Sequence, residues 1–297
     1  MKTRALVLLL AAVLAACVRG PRVERAAPAD VVFMSDFGGV DDAVAICKGV
    51  MFELAPGLRV VDLTHDVPPF SIRDGARLLA GPTAYYPPGT VFLAVVDPGV
   101  GGTRRALVAR SRRGQFFVVP DNGLLTAIAD RDGLEGVREI TNPSWMLAPT
   151  TSATFHGRDI FSPVAARLAA GADWREVGPV VTDPVRIDVP AVSRVPDGLR
   201  GEVVALDGHF GNALTNVGAG DFAALGHVPG DRVTVRVGTR ELRVPFVRTF
   251  GEVAVGEPLM YVDSRGNIAL AVNRGSFAQR YRVAVPAPVL IRGKEGR

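Results

Sequence analysis

The sequence predicts an α/β protein: a mostly parallel sheet flanked by helices, followed by a smaller antiparallel β domain. Two observations predict this class. Between residues 31 and 170, short apolar runs of strand length alternate with helical patterns, the order that places strands parallel with helices over both faces. After residue 190 the helical period gives way to a period of two, clearest in Val233-Thr234-Val235-Arg236-Val237. A length of 297 residues accommodates two domains, and 48% hydrophobic with 22% charged residues is the balance of a globular protein with a sizeable core.

The elements follow in order. Residues 31–34 (VVFM) read as a first strand. Residues 41–54 read as a helix with Asp41 and Asp42 at its positive N-terminus and Pro56-Gly57 as its stop. Residues 58–63 form a second buried strand, and Ser71 with Asp74 opens a helix along 76–80. The continuous apolar run 91–96 is a further buried strand, and 106–109 and 116–119 give two more before the turn Pro120-Asp121-Asn122-Gly123. A helix at 160–170 carries Pro163 in its first turn, where the ring is tolerated. Residues 190–200 hold two prolines, Asp197-Gly198 and no apolar period, and read as a linker between domains of residues 30–189 and 201–297. Pro229-Gly230 and Gly238 punctuate the second domain, and 268–272, apolar throughout, is its most deeply buried strand.

The N-terminus carries an address. Met1-Lys2-Thr3-Arg4 is a short basic region, and residues 5–16 form an apolar stretch of about a dozen residues, too short to span a bilayer. It runs into Leu14-Ala15-Ala16-Cys17, which looks like a bacterial lipobox, whose cysteine is acylated. Residues 1–17 are therefore expected to be a lipoprotein signal peptide with Cys17 as the lipidation site, and 18–29 a tether. This predicts an exported lipoprotein, touching the membrane through its lipid only and facing the periplasm or cell exterior. An ordinary secretory signal with an incidental Cys17 is the alternative. Cys47 is then the one remaining thiol, so the mature chain forms no internal disulfide. Loss of Lys2 and Arg4 lowers the formal charge from +4 to +2, which gives no argument for a nucleic-acid partner. The basic stretch 104–113 is interleaved with an apolar strand and lacks an aromatic stacking platform.

Chemistry concentrates in two short loops. Asp97 follows the apolar run 91–96, at a strand end, where open α/β sheets gather their ligands. Pro98, Gly99, Gly101 and Gly102 force a tight loop that can return Arg104 towards that carboxylate. His156 lies in TFHGRD. A carboxylate, a guanidinium and an imidazole gathered there can hold and deprotonate a water molecule; alternatively, Asp97 and Arg104 simply pin the loop.

The motifs FMSDFGGVDDAVAICKGVM, DLTHDVPPF, PPGTVFLAVVDPGVG, PDNGLLT, TFHGRDIFSPVAA, FGNALTN and SRGNIALAVN occur in that order. Together, over residues 31–285, they resemble the S-adenosyl-L-methionine hydroxide adenosyltransferase family, hydrolytic relatives of the fluorinating and chlorinating adenosyl enzymes. The resemblance implies an α/β domain plus a C-terminal β-barrel, assembled as a homotrimer with active sites between subunits. It implies that water attacks ribose C5′ of S-adenosyl-L-methionine, giving adenosine and methionine, with no metal and no cofactor. Asp97, Arg104 and His156 correspond to the water-activating set; Arg104 cannot accept a proton at working pH, which leaves His156 or Asp97 to take it. Asp36 matches the ribose-binding aspartate, or else caps the next helix. Asp41 matches the residue facing the methionine ammonium, or else a helix cap, and Phe70 an aromatic beside the ribose or adenine. Phe210 and Asn212 match the adenine-stacking and hydrogen-bonding pair, which Phe250 completes. Ser264 and Arg265 match a clamp on the methionine carboxylate, for which a planar guanidinium is well shaped.

Three other functions are weighed. Halide transfer is disfavoured, because the fluorinating relatives carry a serine where this chain has Gly157 and threonine and tyrosine where it has Val100 and Asp97. A carboxylate at Asp97 would repel a halide by up to about 4 kcal/mol at roughly 4 Å and an effective dielectric near 20. Asp36, Asp41, Asp42, His65 and Asp66 could form the metal cluster of a nucleoside hydrolase, but Met34 stands where those enzymes need an aspartate. A non-catalytic nucleoside or S-adenosyl-L-methionine binding lipoprotein is the third, suggested by the outward address.

Overall fold

The computed structural model describes residues 28–147, 152–188 and 190–294, so the stretch expected to be a signal peptide, most of the expected tether, and Cys17 lie outside the described residues. The chain divides into two compact units, the first ending at Val185 and the second beginning at Arg186.

The first unit is built on a six-stranded sheet. Its strands are β1 (Val31–Ser35), β2 (Val60–Thr64), β3 (Val91–Val95), β4 (Ala106–Ser111), β5 (Phe116–Pro120) and β6 (Leu134–Glu139), in the order β2-β1-β3-β5-β4-β6. Strands β2, β1, β3 and β5 run parallel, as the alternation predicts. The expected mostly parallel sheet becomes mixed at one side, where β4 is antiparallel to both β5 and β6. The reason is the connection: residues 112–115 between β4 and β5 are far too few for a parallel crossover, so the chain folds back as a hairpin. Strand β6 escapes a sequence reading because its residues LEGVRE carry the charges of a half-exposed edge.

Helices α1 (Ala43–Leu54), α2 (Ile72–Thr83), α3 (Thr126–Arg131) and α4 (Ser162–Ala169) complete the unit. Strand residues alternate between faces. Phe33, Val91, Leu93 and Val95 share one core with Cys47 and Met51 of α1 and Val164, Ala165 and Leu168 of α4. On the opposite face Phe92 stacks on Phe117 at 5.3 Å. Both β1 and β3 are buried along their whole length, which is why they read as unbroken apolar runs. Cys47 is buried as expected, and burial pushes its thiol up to about 11. Ser71 caps α2 by accepting the Asp74 N–H.

The second unit is a nearly closed antiparallel barrel. It contains β7 (Ser193–Val195), β8 (Gly198–Asp207), β9 (Asn212–Gly218), β10 (Arg232–Val237), β11 (Arg240–Pro245), β12 (Pro258–Val262), β13 (Asn267–Val272) and β14 (Ala287–Arg292), with short helices α5 (Ala219–Ala223) and α6 (Phe277–Tyr281). The main path is β11-β10-β14-β8-β9-β13-β12, and a parallel bridge between Phe246 and Met260 joins its two ends. The stretch 190–200, read as a linker, contains structure: β7 turns through Pro196-Asp197 onto the start of β8, pairing Val195 with Gly198. The predicted alternation of β10 holds, with Val233, Val235 and Val237 buried, and β13 is buried from Ile268 onwards. Among the described residues no helix is long and apolar enough to cross a membrane.

Candidate active site

The site grows from the carboxyl ends of β1 and β3, which are adjacent and parallel. Val95 and Val96 are core residues, and the next residue, Asp97, stands at the edge of that core. The glycine-rich loop behind it brings Arg104 back: its Nε donates to Asp97 Oδ1 at 2.9 Å and Oδ2 at 3.0 Å, and its Nη2 also donates to Oδ2. The pair is largely desolvated, with side chains 5% and 11% exposed for Asp97 and Arg104. The guanidinium lies over the Phe161 ring at 5.1 Å.

His156 completes the trio from the other loop, its Nδ1 at 2.8 Å from Arg104 Nη2. A guanidinium only donates, so Nδ1 must be the acceptor, and the ring is neutral with its hydrogen on Nε2. Burial, and then the Arg104 cation, hold the His156 pKa below its ordinary value, opposed by Asp97 and Asp159. His156 enters a π-turn, Gly157–Phe161, a rare geometry frequent at functional sites. Asp159, fully buried inside that turn, accepts from Arg158 Nε at 2.5 Å and from the Ser152 N–H at 2.6 Å, fixing the segment before His156.

Gly101 joins the two loops. Its φ is +75°, and a Cβ there would lie 2.0 Å from the Ala153 carbonyl oxygen. Only glycine permits this approach. Gly101→Ala is therefore expected to push the 97–104 loop off the 152–156 segment, lowering turnover by at least about tenfold, because angstrom-scale misplacement is costly. Thermal melting with steady-state kinetics checks this; wild-type values for both would show that the loops do not depend on the contact.

The other first-unit residues lie around these strand ends. Asp36 follows β1, its N–H donating to the Val95 carbonyl and its Oδ2 accepting the Phe70 N–H at 3.0 Å. Phe70 has a left-handed backbone, φ 65°, and a largely exposed ring. Asp41 accepts the Ala43 N–H at 3.1 Å in a local turn just before α1; the N-cap itself is Asp42, which makes no side-chain cap bond. Two positioning contacts escape a reading of spacing. Asn122, legible only as part of a turn, donates through Nδ2 to the Val96 carbonyl at 2.8 Å, one residue before Asp97. Phe37 and Phe155 form an edge-to-face pair against the position that a side chain on Gly157 would fill. Among the described residues no group of three or more His, Cys, Asp or Glu is placed to hold a metal, so the weighed cluster of Asp36, Asp41, Asp42, His65 and Asp66 is not assembled.

In the second unit, Phe210 is exposed in the turn between β8 and β9, and Asn212 is buried, its Nδ2 donating to Asp207 Oδ2 at 3.2 Å. Phe250 leans on Tyr261, ring centroids 5.0 Å apart. Burial, helped by the carboxylates of Asp207 and Asp263, pushes the Tyr261 hydroxyl up to about 12. Asp263 Oδ1 accepts the N–H groups of Arg265 and Asn267, each at 2.9 Å, which fixes the turn presenting Ser264 and Arg265.

Comparison with known proteins gives concordant matches. Residues 31–178 match the family model described as SAM hydroxide adenosyltransferase N-terminal domain, and residues 201–290 its C-terminal domain. The (R)-S-adenosyl-L-methionine hydrolase of Salinispora tropica is 46% identical over 256 residues, covering 84% of this chain and 92% of the relative. That of Thermus thermophilus is 41% identical over 272 residues, covering 87% and 98%. A fluorinase from an Actinoplanes species is 32% identical over 289 residues, covering 88% and 96%. A solved structure of an uncharacterized conserved protein from Thermotoga maritima aligns with a TM-score of 0.84 at 37% identity, over 88% of this chain and 99% of that one.

Proposed function

The chain belongs to the SAM hydroxide adenosyltransferase family, and from that membership we propose that it hydrolyses S-adenosyl-L-methionine to adenosine and L-methionine. The observation that carries the reading is the half-buried Asp97–Arg104–His156 set, joined by hydrogen bonds through the Arg104 guanidinium. The sulfonium is already a good leaving group, so no acid is needed to release methionine. What the reaction needs is an oriented, desolvated hydroxide in line with the C5′–S bond.

Arg104 holds the attacking water and favours its hydroxide form, and the proton passes to one of the two groups that flank the guanidinium, Asp97 or His156, the imidazole taking it at Nδ1 once that nitrogen releases Arg104. The new bond joins the water oxygen to C5′; the C5′–S bond breaks, and its electron pair stays on the methionine sulfur. Asp36 grips the ribose 2′ and 3′ hydroxyls and Asp41 faces the methionine ammonium. Phe70, Phe210 and Phe250 flank the nucleoside, Asn212 bonds the adenine, and Ser264 with Arg265 clamps the carboxylate. No metal or cofactor takes part. The desolvated Asp97 carboxylate disfavours a halide in place of water. The working form is a lipoprotein anchored through Cys17 and assembled as a homotrimer with sites between subunits.

The test is product analysis of protein lacking residues 1–17, by mass spectrometry, with and without a chelator. Both sulfonium epimers are assayed, the (R) form being the one for which the hydrolase relatives are named. Adenosine and methionine in equal amounts, unaffected by chelation, support the reading. Bound substrate without turnover identifies a binding protein instead, and chelator-sensitive release of free base identifies a nucleoside hydrolase.

A further inference from the structure

A second chain of polar side chains lies beside the site and takes no part in the chemistry above. Ser35, the last residue of β1, has its Oγ at 2.7 Å from His65 Nδ1. His65 Nε2 lies 3.1 Å from Asp62 Oδ1, and Lys48 Nζ donates to the other Asp62 oxygen at 2.6 Å. A carboxylate only accepts, so Nε2 carries the ring hydrogen and Nδ1 is left to accept from the Ser35 hydroxyl. The order Ser–His–Asp invites comparison with a nucleophilic triad, but Ser35 is 0% exposed and no substrate reaches it. Its surroundings point to mechanical work. Ser35 Oγ accepts the Phe37 N–H at 3.3 Å, the Ser35 carbonyl accepts the Val67 N–H, and the His65 carbonyl accepts the Gly38 N–H at 2.7 Å. The ring also packs edge-on against Phe33 at 4.7 Å. Residues 35–38 are thus strapped to residues 65–67 on both sides of Asp36.

We propose that His65 is a positioning residue that sets substrate affinity by fixing, through Ser35, the turn that presents Asp36. The proposal rests on the reading of Asp36 as the ribose-binding carboxylate. The relay stands outside the water-activating set, so its loss loosens the grip on substrate and leaves the attacking water in place. It explains why a histidine stands in DLTHDVPPF although no metal cluster forms there.

Two amide replacements separate this role from simple packing. An asparagine at position 65 carries its amide at the depth of Nδ1 and can still accept from Ser35. A glutamine reaches the depth of Nε2, keeps Asp62 and loses Ser35. Steady-state KM and kcat are measured for wild type, Asp36→Asn, His65→Asn, His65→Gln and Ser35→Ala, with substrate Kd by calorimetry and melting curves as a check on folding. His65→Gln and Ser35→Ala are expected to raise KM and Kd by at least about fivefold, the scale of one lost hydrogen bond, with kcat within about threefold. His65→Asn is expected to stay within about twofold of wild type, and Ser35→Ala combined with His65→Gln to add little to either alone. Equal KM for His65→Asn and His65→Gln, or an effect on kcat alone, would overturn the proposal. Asp36→Asn with unchanged KM and Kd would remove the ribose reading and this inference with it. A large Asp36→Asn effect beside a wild-type His65→Gln would remove the positioning role alone.

Discussion

His156→Ala is expected to lower kcat by about 10²–10⁴-fold while leaving KM within a few-fold, the signature of a group acting on the reacting water and not on bound substrate. The geometry explains why. His156 Nδ1 is held 2.8 Å from Arg104, so the imidazole is oriented, neutral and coupled to the desolvated cation. Its pKa is depressed below 6.5 by burial first and by Arg104 second. The acid limb of kcat/KM should therefore lie below pH 6.5, with activity persisting as pH falls through that value. Stability carries the same sign. A depressed folded pKa means that the unfolded chain takes up the proton first. The contribution of His156 is thus complete above the unfolded value and is lost as pH falls through the folded one. Steady-state kinetics and melting temperature across pH measure both effects; a His156→Ala enzyme with wild-type kcat would remove this residue from the chemistry.

The second large effect is expected for Arg104→Met, which should abolish measurable turnover and destabilise the fold together. It strands the Asp97 carboxylate, 5% exposed, without its partner, and breaking one side of a buried pair costs about 3–5 kcal/mol. His156 Nδ1 loses its donor at the same time. Arg104→Lys should not rescue turnover, because an ammonium cannot bridge a carboxylate and an imidazole in the plane of a fork. Neutralising the stranded charge should recover stability, so Asp97→Asn combined with Arg104→Met is expected to melt above Arg104→Met alone while staying inactive. Melting curves and turnover of the three variants test this. A double variant no more stable than the single would mean that the ion pair does not govern local stability.

Much of this was legible in the sequence for identifiable reasons. Strands β1 and β3 are buried on both faces, so nothing interrupts their apolar runs, and Asp97 stood out as the first polar residue after one of them. The Pro-Gly-rich loop made the return of Arg104 geometrically plausible, and the structure brings the two together with His156. Strand β6 was hidden by its edge position, and the β4–β5 hairpin by a turn of ordinary polar composition. Asn122 and Ser35 were hidden because their partners, the Val96 carbonyl and the His65 imidazole, lie 26 and 30 residues away in the chain, which local spacing does not reveal. His65 was visible only as a histidine beside aspartates, a member of a metal cluster that Met34 already disfavoured; its partners are a serine on the neighbouring strand and a single carboxylate.

The most direct test of water activation at C5′ is turnover of S-adenosyl-L-methionine in water enriched with oxygen-18. One labelled oxygen at the 5′ position of adenosine, with unlabelled methionine, is the predicted result. Adenosine without label, or label recovered on a free ribose fragment, would contradict attack by hydroxide at C5′ and the role given to Asp97, Arg104 and His156.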